Sequence, residues 1–158
     1  MRPDLKGSSL VVFGEILRDM VNDYCVEVLK SKLHRAEVTG ANVNYEGSLS
    51  ISQDLMDLVG IVPFEKILCG NQATGDRFET YAIRGPKGTG EIVLNGAAAR
   101  LGEVGDLLTI MTFAQVTMTQ AQNWAPRVAV LSERNHQVEN RVPVATSPME
   151  RSSVSVGQ

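Results

Sequence analysis

The protein has 158 residues and a formal net charge of −3, which suits one compact globular domain and leaves no basic excess to hold nucleic acid. Two cysteines, Cys25 and Cys69, are too few for a secreted disulfide scaffold, and no His/Cys spacing resembles a metal site. The longest apolar run, residues 10–13, falls far short of the ~20 residues of a membrane span, so we expect a soluble, cytoplasmic protein without membrane contact.

Residues 1–27 show the spacing of an amphipathic helix. Apolar side chains recur at steps of three and four residues, at Leu10, Phe13, Leu17, Met20, Val21, Tyr24 and, just beyond, Val28. This period places them on one face of a helix. The sequence therefore predicts an N-terminal helical extension.

Residues 28–132 contain a series of short strand patterns. Polar and apolar residues alternate, or apolar residues run together, at 36–39, 48–52, 78–83, 91–94, 104–113 and 128–131. Many short strands separated by turns are typical of a mainly β fold, and they predict a small β-barrel.

The connections complete this prediction. Short helices are expected at 53–59, where Gly60 is a natural C-terminal cap, and at 119–124. The glycine-rich turn at 85–90 favours a hairpin between the strands on either side of it. Residues 133–158 show no sustained period and are expected to form a partly disordered C-terminal tail.

The chemistry of the chain is not that of a common catalytic motif. The sequence contains no nucleophile elbow, no Walker loop and no G-x-G-x-x-G pattern. What stands out is an ordered set of short segments: Lys32-Leu-His-Arg35, Tyr45-Glu-Gly-Ser48, Asp76-Arg-Phe-Glu-Thr-Tyr81, Asn95-Gly-Ala-Ala-Ala99 and Trp124-Ala-Pro126. In order and in spacing this set resembles the bacterial aspartate 1-decarboxylases, a family of pyruvoyl enzymes, over residues 28–132.

The resemblance implies that the chain cuts itself between Gly47 and Ser48. The Ser48 hydroxyl would attack the Gly47 carbonyl, and elimination and hydrolysis would leave a covalent pyruvoyl group derived from Ser48. Glycine at position 47 would allow the backbone to take the strained geometry of this attack. Thr80 matches the family's essential threonine and would stabilise the oxyanion, with Asn95 assisting.

The resemblance also implies a substrate site for L-aspartate. The pyruvoyl ketone would act as the electron sink, with no metal, while Lys32 and Arg77 would bind carboxylates. Tyr81 resembles the family's proton donor, and Gly96, Ala97 and Ala98 match its substrate-facing loop. We do not place His34 among the catalytic residues, because histidines at such positions are more often structural.

At the level of the whole protein, the resemblance implies a double-psi β-barrel and a tetramer of cleaved protomers. Each protomer would consist of a β chain (1–47) and an α chain (48–158), with active sites between neighbouring subunits. The product would be β-alanine for pantothenate biosynthesis. Two alternatives remain: an uncleaved barrel that acts as a binding or assembly module, and a pyruvoyl decarboxylase for another amino acid. The two cations favour a diacid, because an apolar substrate would leave a buried charge unpaired.

Overall fold

The computed structural model of the protein describes residues 13–14 and 24–140, except for the side chain of Asn140. Residues 13 and 14 are helical. The rest of the predicted N-terminal helix before residue 24, and the predicted tail from residue 141 onwards, lie outside the described residues. No helix within the described ranges is long and apolar enough to cross a membrane.

The described chain is mainly β, as the sequence predicted. Its strands are β1 (Cys25–Glu37), β2 (Gly40–Asn42), β3 (Ser48–Ser52), β4 (Lys66–Asn71), β5 (Arg77–Gly85), β6 (Ile92–Asn95), β7 (Leu107–Thr117), β8 (Arg127–Ser132) and β9 (Gln137–Asn140). The helices are α1 (Gln53–Val59), a 3-10 helix (Gly96–Arg100) and α2 (Met118–Ala121). This composition agrees with a small β-barrel with short helices.

Strand pairing departs from the predicted hairpin. The strands form one mixed sheet in the order β2-β6-β3-β5-β4-β7-β1-β8-β9. β3 pairs in parallel with β5 and antiparallel with β6, so the prediction that the strands on either side of residues 85–90 pair with each other is wrong. Four of the five residues of β3 are buried, and its backbone groups therefore need partners on both edges. The turn carries the chain past β3 rather than back alongside β5.

Several element bounds also differ from the predictions. Helix α1 spans the predicted residues and ends at Gly60, which has a left-handed φ of 74°. The predicted helix at 119–124 is shorter and begins earlier, because Thr117 and Gln120 form a capping box. Strands β2 and β4 were not predicted, and β9 continues the β structure past residue 132. The last residues of the predicted helical extension, 25–27, are strand instead, because β1 begins at Cys25.

The described chain divides into two compact units. The smaller contains the described residues up to Val28 together with Ala114–Trp124, and within it the Met118 N–H donates to the Tyr24 carbonyl at 3.2 Å. The larger contains Leu29–Phe113 and the described residues from Ala125 onwards. Its apolar core collects alternate residues of the strands and one face of α1: Leu33, Leu49, Ile51, Leu55, Met56, Ile67, Leu94, Leu108, Ile110 and Leu131.

Candidate active site

The predicted cleavage bond lies where β3 begins. Ser48 is the first residue of β3 and is 1% exposed, whereas residues 41–47 before it are exposed. Its hydroxyl accepts a hydrogen bond from Asn95 Nδ2 at 3.1 Å and lies 3.4 Å from the Glu46 carbonyl, to which it donates. Because the antiparallel register of β3 and β6 places Ser48 opposite Asn95, the sheet itself brings this pair together. The hydroxyl is therefore held by its neighbours and shielded from solvent.

Close approach of the backbone at this bond depends on Gly96. Gly96 has a φ of 60°, and a Cβ atom there would lie 2.8 Å from Gly47 Cα, 2.9 Å from Gly47 N and 3.0 Å from the Tyr45 carbonyl oxygen. These are main-chain atoms, which cannot swing away as a side chain can. Gly47, by contrast, is not among the positive-φ glycines, and a Cβ there would meet no heavy atom within 4 Å. In this structure the close approach of main-chain atoms therefore requires a glycine at position 96, while the expected freedom of Gly47 during the attack stays a prediction.

Thr80 and Tyr81 sit on β5 beside the beginning of β3. The parallel register pairs Leu49 with Ala82, so Tyr81 and Thr80 lie just before that pair, near the level of Ser48 and Gly47. Because side chains alternate along a strand, the half-buried Thr80 shares a face with buried Ala82, and Tyr81 shares the other face with Arg77. The structure shows no hydrogen bond from the Thr80 hydroxyl to a described residue, so its predicted role as an oxyanion donor is still a prediction.

Lys32 and Arg77 line one cavity of about 500 Å³. Its other lining residues are Gly70, Asn71, Gln72, Gly75, Thr109 and Met111. Among the described residues neither cation has a carboxylate within 4.0 Å. A cavity with two cations and no internal counterion is suited to an anionic ligand.

A cluster of three polar side chains that the sequence did not predict lies at this cavity, two of which, Gln72 and Thr109, line it. His34 Nδ1 lies 3.0 Å from Thr109 Oγ1, and Gln72 Nε2 lies 3.3 Å from the same hydroxyl. Burial and the nearby charges of Lys32 and Arg35 lower the pKa of His34, which favours the neutral imidazole. Gln72 directly follows β4 and Thr109 is the third residue of β7. Since β4 was not predicted, the sequence offered no signal for this contact.

The predicted site residues fall into two groups within the chain. Ser48, Asn95 and Gly96 lie together where β3 meets β6, whereas Lys32 and Arg77 lie at the cavity, which none of the first group lines. Arg77 is four residues from Tyr81 along β5, a separation of roughly 13 Å in an extended strand. Ala98 packs in the apolar core, and Ala97 is exposed at the beginning of the 3-10 helix.

Fold and site together define a small mainly β protein with a buried serine hydroxyl at a glycine–serine bond. Comparison with known proteins identifies the family within this class. Residues 24–138 match the family model described as aspartate decarboxylase, so the chain belongs to the aspartate decarboxylase family.

Individual relatives agree with this assignment. The chain is 50% identical to an aspartate 1-decarboxylase of Staphylococcus carnosus over 112 residues, which cover 71% of this chain and 88% of the relative. It is 48% identical to an aspartate 1-decarboxylase of Staphylococcus aureus strain MSSA476 over 121 residues, which cover 73% of this chain and 95% of the relative.

Proposed function

We propose that this protein is a pyruvoyl-dependent aspartate 1-decarboxylase that converts L-aspartate to β-alanine and CO₂, the step that supplies β-alanine for pantothenate biosynthesis. Its family and its relatives support this activity. The structural observation that carries the proposal is the Ser48 hydroxyl, which is buried at the Gly47–Ser48 bond and hydrogen-bonded by Asn95.

In the proposed maturation, Ser48 Oγ attacks the Gly47 carbonyl carbon and the acyl group moves from nitrogen to oxygen. Elimination across Cα and Cβ of residue 48 then releases residues 1–47 with a C-terminal carboxylate. Hydrolysis of the dehydroalanine left behind releases ammonia and leaves the ketone. One water is consumed and one ammonia released overall, so the step requires no oxidant. Asn95 orients the attacking oxygen, and Thr80 is the proposed donor to the Gly47 oxyanion.

The residues around position 48 fit a pyruvoyl group, because Ser48 is buried and lies beside polar side chains able to orient it. Once formed, the pyruvoyl ketone supplies the electrophile for the substrate amine and the electron sink for loss of CO₂. The chain's own residues bind and orient the substrate. Lys32 and Arg77 are proposed to hold the two carboxylates of aspartate, and the planar guanidinium of Arg77 is suited to bidentate binding.

Tyr81 is the proposed proton donor to the carbon atom that loses CO₂. Its ring is on the same face of β5 as Arg77, and it is 37% exposed, which leaves the phenol accessible to a bound ligand. Gly96 and Ala97 are proposed to let the backbone approach the substrate, while the Ala98 side chain packs in the core.

Ser48 does not line the cavity that contains Lys32 and Arg77, and this separation supports an active site formed between two subunits. We propose a tetramer of four α and four β chains in which Ser48 of one protomer meets Lys32 and Arg77 of a neighbour. Within a protomer, residues 28–132 are the proposed catalytic domain, preceded by the extension 1–27 and followed by the tail 133–158.

The test of this function is the fate of the chain and its activity. Intact mass spectrometry of purified protein should show two fragments, the larger beginning with a pyruvoyl group, and the protein should release CO₂ from aspartate in preference to glutamate or ornithine. Replacing Ser48 by alanine should abolish both cleavage and activity. Ser50→Ala is the matched control, because Ser50 is two residues further along β3 and lies 3.4 Å from the same Asn95 amide.

Two outcomes would contradict the proposal. An assembled wild-type protein that stays full-length after long incubation would favour the alternative of a binding or assembly module. Decarboxylation retained by uncleaved Ser48→Ala would show that the activity does not depend on residue 48.

A further inference from the structure

Phe64 combines a strained backbone with an exposed side chain. Its φ is 66°, a left-handed conformation that bulky residues rarely adopt, and its side chain is 77% exposed. Neither feature stabilises the fold, because the conformation is unfavourable and the ring gains little from burial. Strain of this kind often occurs at functional positions.

An ion pair and hydrogen bonds anchor the loop that carries Phe64 to strands β1 and β5. Both carboxylate oxygens of Glu65 lie 2.7 Å from Lys30 Nζ on β1, and one of them accepts the Val62 N–H at 2.9 Å. The Phe64 N–H donates to the Ala82 carbonyl at 2.7 Å, and the Ala82 N–H donates to the Glu65 carbonyl at 2.9 Å. These bonds fix residues 62–65 against β5 and hold Phe64 in its left-handed conformation.

The fixed loop brings the Phe64 ring to Tyr81. The ring centroids are 6.5 Å apart and the planes are tilted by 36°, which is within the range of favourable aromatic pairs. Lys66, which is opposite Tyr81 on β4, is ion-paired with Glu79 at 2.8 Å. The Phe64 ring therefore packs against one side of the Tyr81 ring, which is otherwise partly exposed to solvent.

We propose that Phe64 is a positioning residue for Tyr81, and this inference rests on the proposed function of Tyr81 as proton donor. A phenol that must deliver its proton to one carbon atom needs a fixed ring, since small misplacements of a reacting group are costly. The Phe64 ring limits the orientations of the Tyr81 ring, and the fastened loop holds Phe64 in place. Phe64 does not line the cavity of Lys32 and Arg77, so it affects proton delivery rather than carboxylate binding.

The test replaces Phe64 by asparagine, which removes the ring and tolerates a left-handed φ. In the assembled protein we expect kcat to fall about tenfold while KM for aspartate changes less than about twofold. Self-cleavage should proceed at the wild-type rate and Tm should not fall, since strain is relieved. With 3-fluorotyrosine labelling, the Tyr81 ¹⁹F signal, assigned with Tyr81→Phe, should change from one environment to several.

Two variants serve as controls. Phe64→Tyr keeps an aromatic ring and should retain kcat within about twofold. Val62→Asn changes an exposed residue of the same loop and should leave both kcat and the Tyr81 signal unchanged.

Each contrary result has a distinct meaning. Wild-type kcat in Phe64→Asn, or loss of activity through dissociation of the assembly, would overturn the positioning role. Failure of the wild type to cleave itself or to decarboxylate aspartate would instead overturn the proposed function.

Discussion

The proposed cleavage bond places different demands on its residues. Ser48 must have a hydroxyl, and Asn95 must reach it from the paired strand. Gly96 must have no side chain at all, because backbone atoms of Gly47 and Tyr45 lie only 2.8–3.0 Å from the position that its Cβ would take. Within the small-residue motif at 96–98, the size of residue 96 is therefore critical, because it determines whether residues 45–47 can keep their position.

This difference predicts the behaviour of Gly96→Ala. The added Cβ would push the segment that ends at Gly47 away from its position, so we expect self-cleavage to slow about a hundredfold while the protein stays folded. Fragment formation followed on denaturing gels measures the rate, and circular dichroism checks the fold.

Gly88→Ala is the matched control for strain. Gly88 also has a positive φ, of 76°, but a Cβ there would meet no heavy atom within 4 Å. Both variants should lose about 1 kcal/mol of stability from backbone strain, and only Gly96→Ala should mature slowly. Equal cleavage rates in the two variants would show that contact with residues 45–47 is unimportant.

Among the secondary structure elements, Asp54 joins α1 to the turn between β5 and β6. Its Oδ1 accepts hydrogen bonds from the Ser52 hydroxyl and, at 2.7 Å, from the Gly88 N–H. Burial raises the pKa of Asp54, but the hydrogen bonds from Ser52 and Gly88 and the charge of Lys87 outweigh it, so the net shift is downward. The ionised carboxylate thus ties the helix to a turn 34 residues away.

The sign of this shift predicts a pH dependence. A carboxyl whose pKa is lower in the folded state contributes stability above its unfolded value of about 3.8, and the contribution disappears as the pH falls through the folded value. Asp54→Ala should therefore lower the free energy of unfolding by about 1 kcal/mol at pH 7.

Urea unfolding at several pH values measures this effect. As the pH falls from 3.8 through the lower folded value, the wild type and Asp54→Ala should converge. Changing exposed Asp57 on the same helix to alanine should have little effect on the free energy of unfolding. A difference for Asp54→Ala that persists undiminished in acid would contradict the electrostatic explanation.

For the whole molecule, the separation of Ser48 from the cavity predicts complementation between protomers. Ser48→Ala subunits keep Lys32 and Arg77, while Arg77→Ala subunits keep the cleavage bond, so each homogeneous assembly should be nearly inactive. Co-expressed in equal amounts with different tags, they should regain activity at about one quarter of the sites if each site combines two neighbouring subunits.

Activity per purified mixed assembly is the measurement. Mixing Ser48→Ala with a second variant that lacks the attacking hydroxyl, Ser48→Gly, is the control that should stay inactive. Mixed tetramers that form but remain inactive would mean that Ser48 and Arg77 of the same protomer serve one site.

The comparison between sequence and structure differs from one element to another. Strand β3 and helix α1 have the predicted bounds, because alternation and a glycine cap are local signals. The pairing of β6 with β3 instead of β5 could not be predicted in this way, since the same turn residues suit a hairpin or a longer crossing. Strand β4 was not predicted, and the contact of Gln72 with Thr109 was therefore not predicted either.

The sequence by itself determined the chemical groups of this protein: a glycine–serine bond, two cations, a tyrosine and an asparagine, in the order typical of one family. The tertiary structure decided which of them meet. Asn95 reaches Ser48 across 47 positions of the chain, Gly96 abuts Gly47, and Lys32 shares a cavity with Arg77. Such contacts depend on which strands pair and in which register, and these follow from burying the whole core at once rather than from any local pattern.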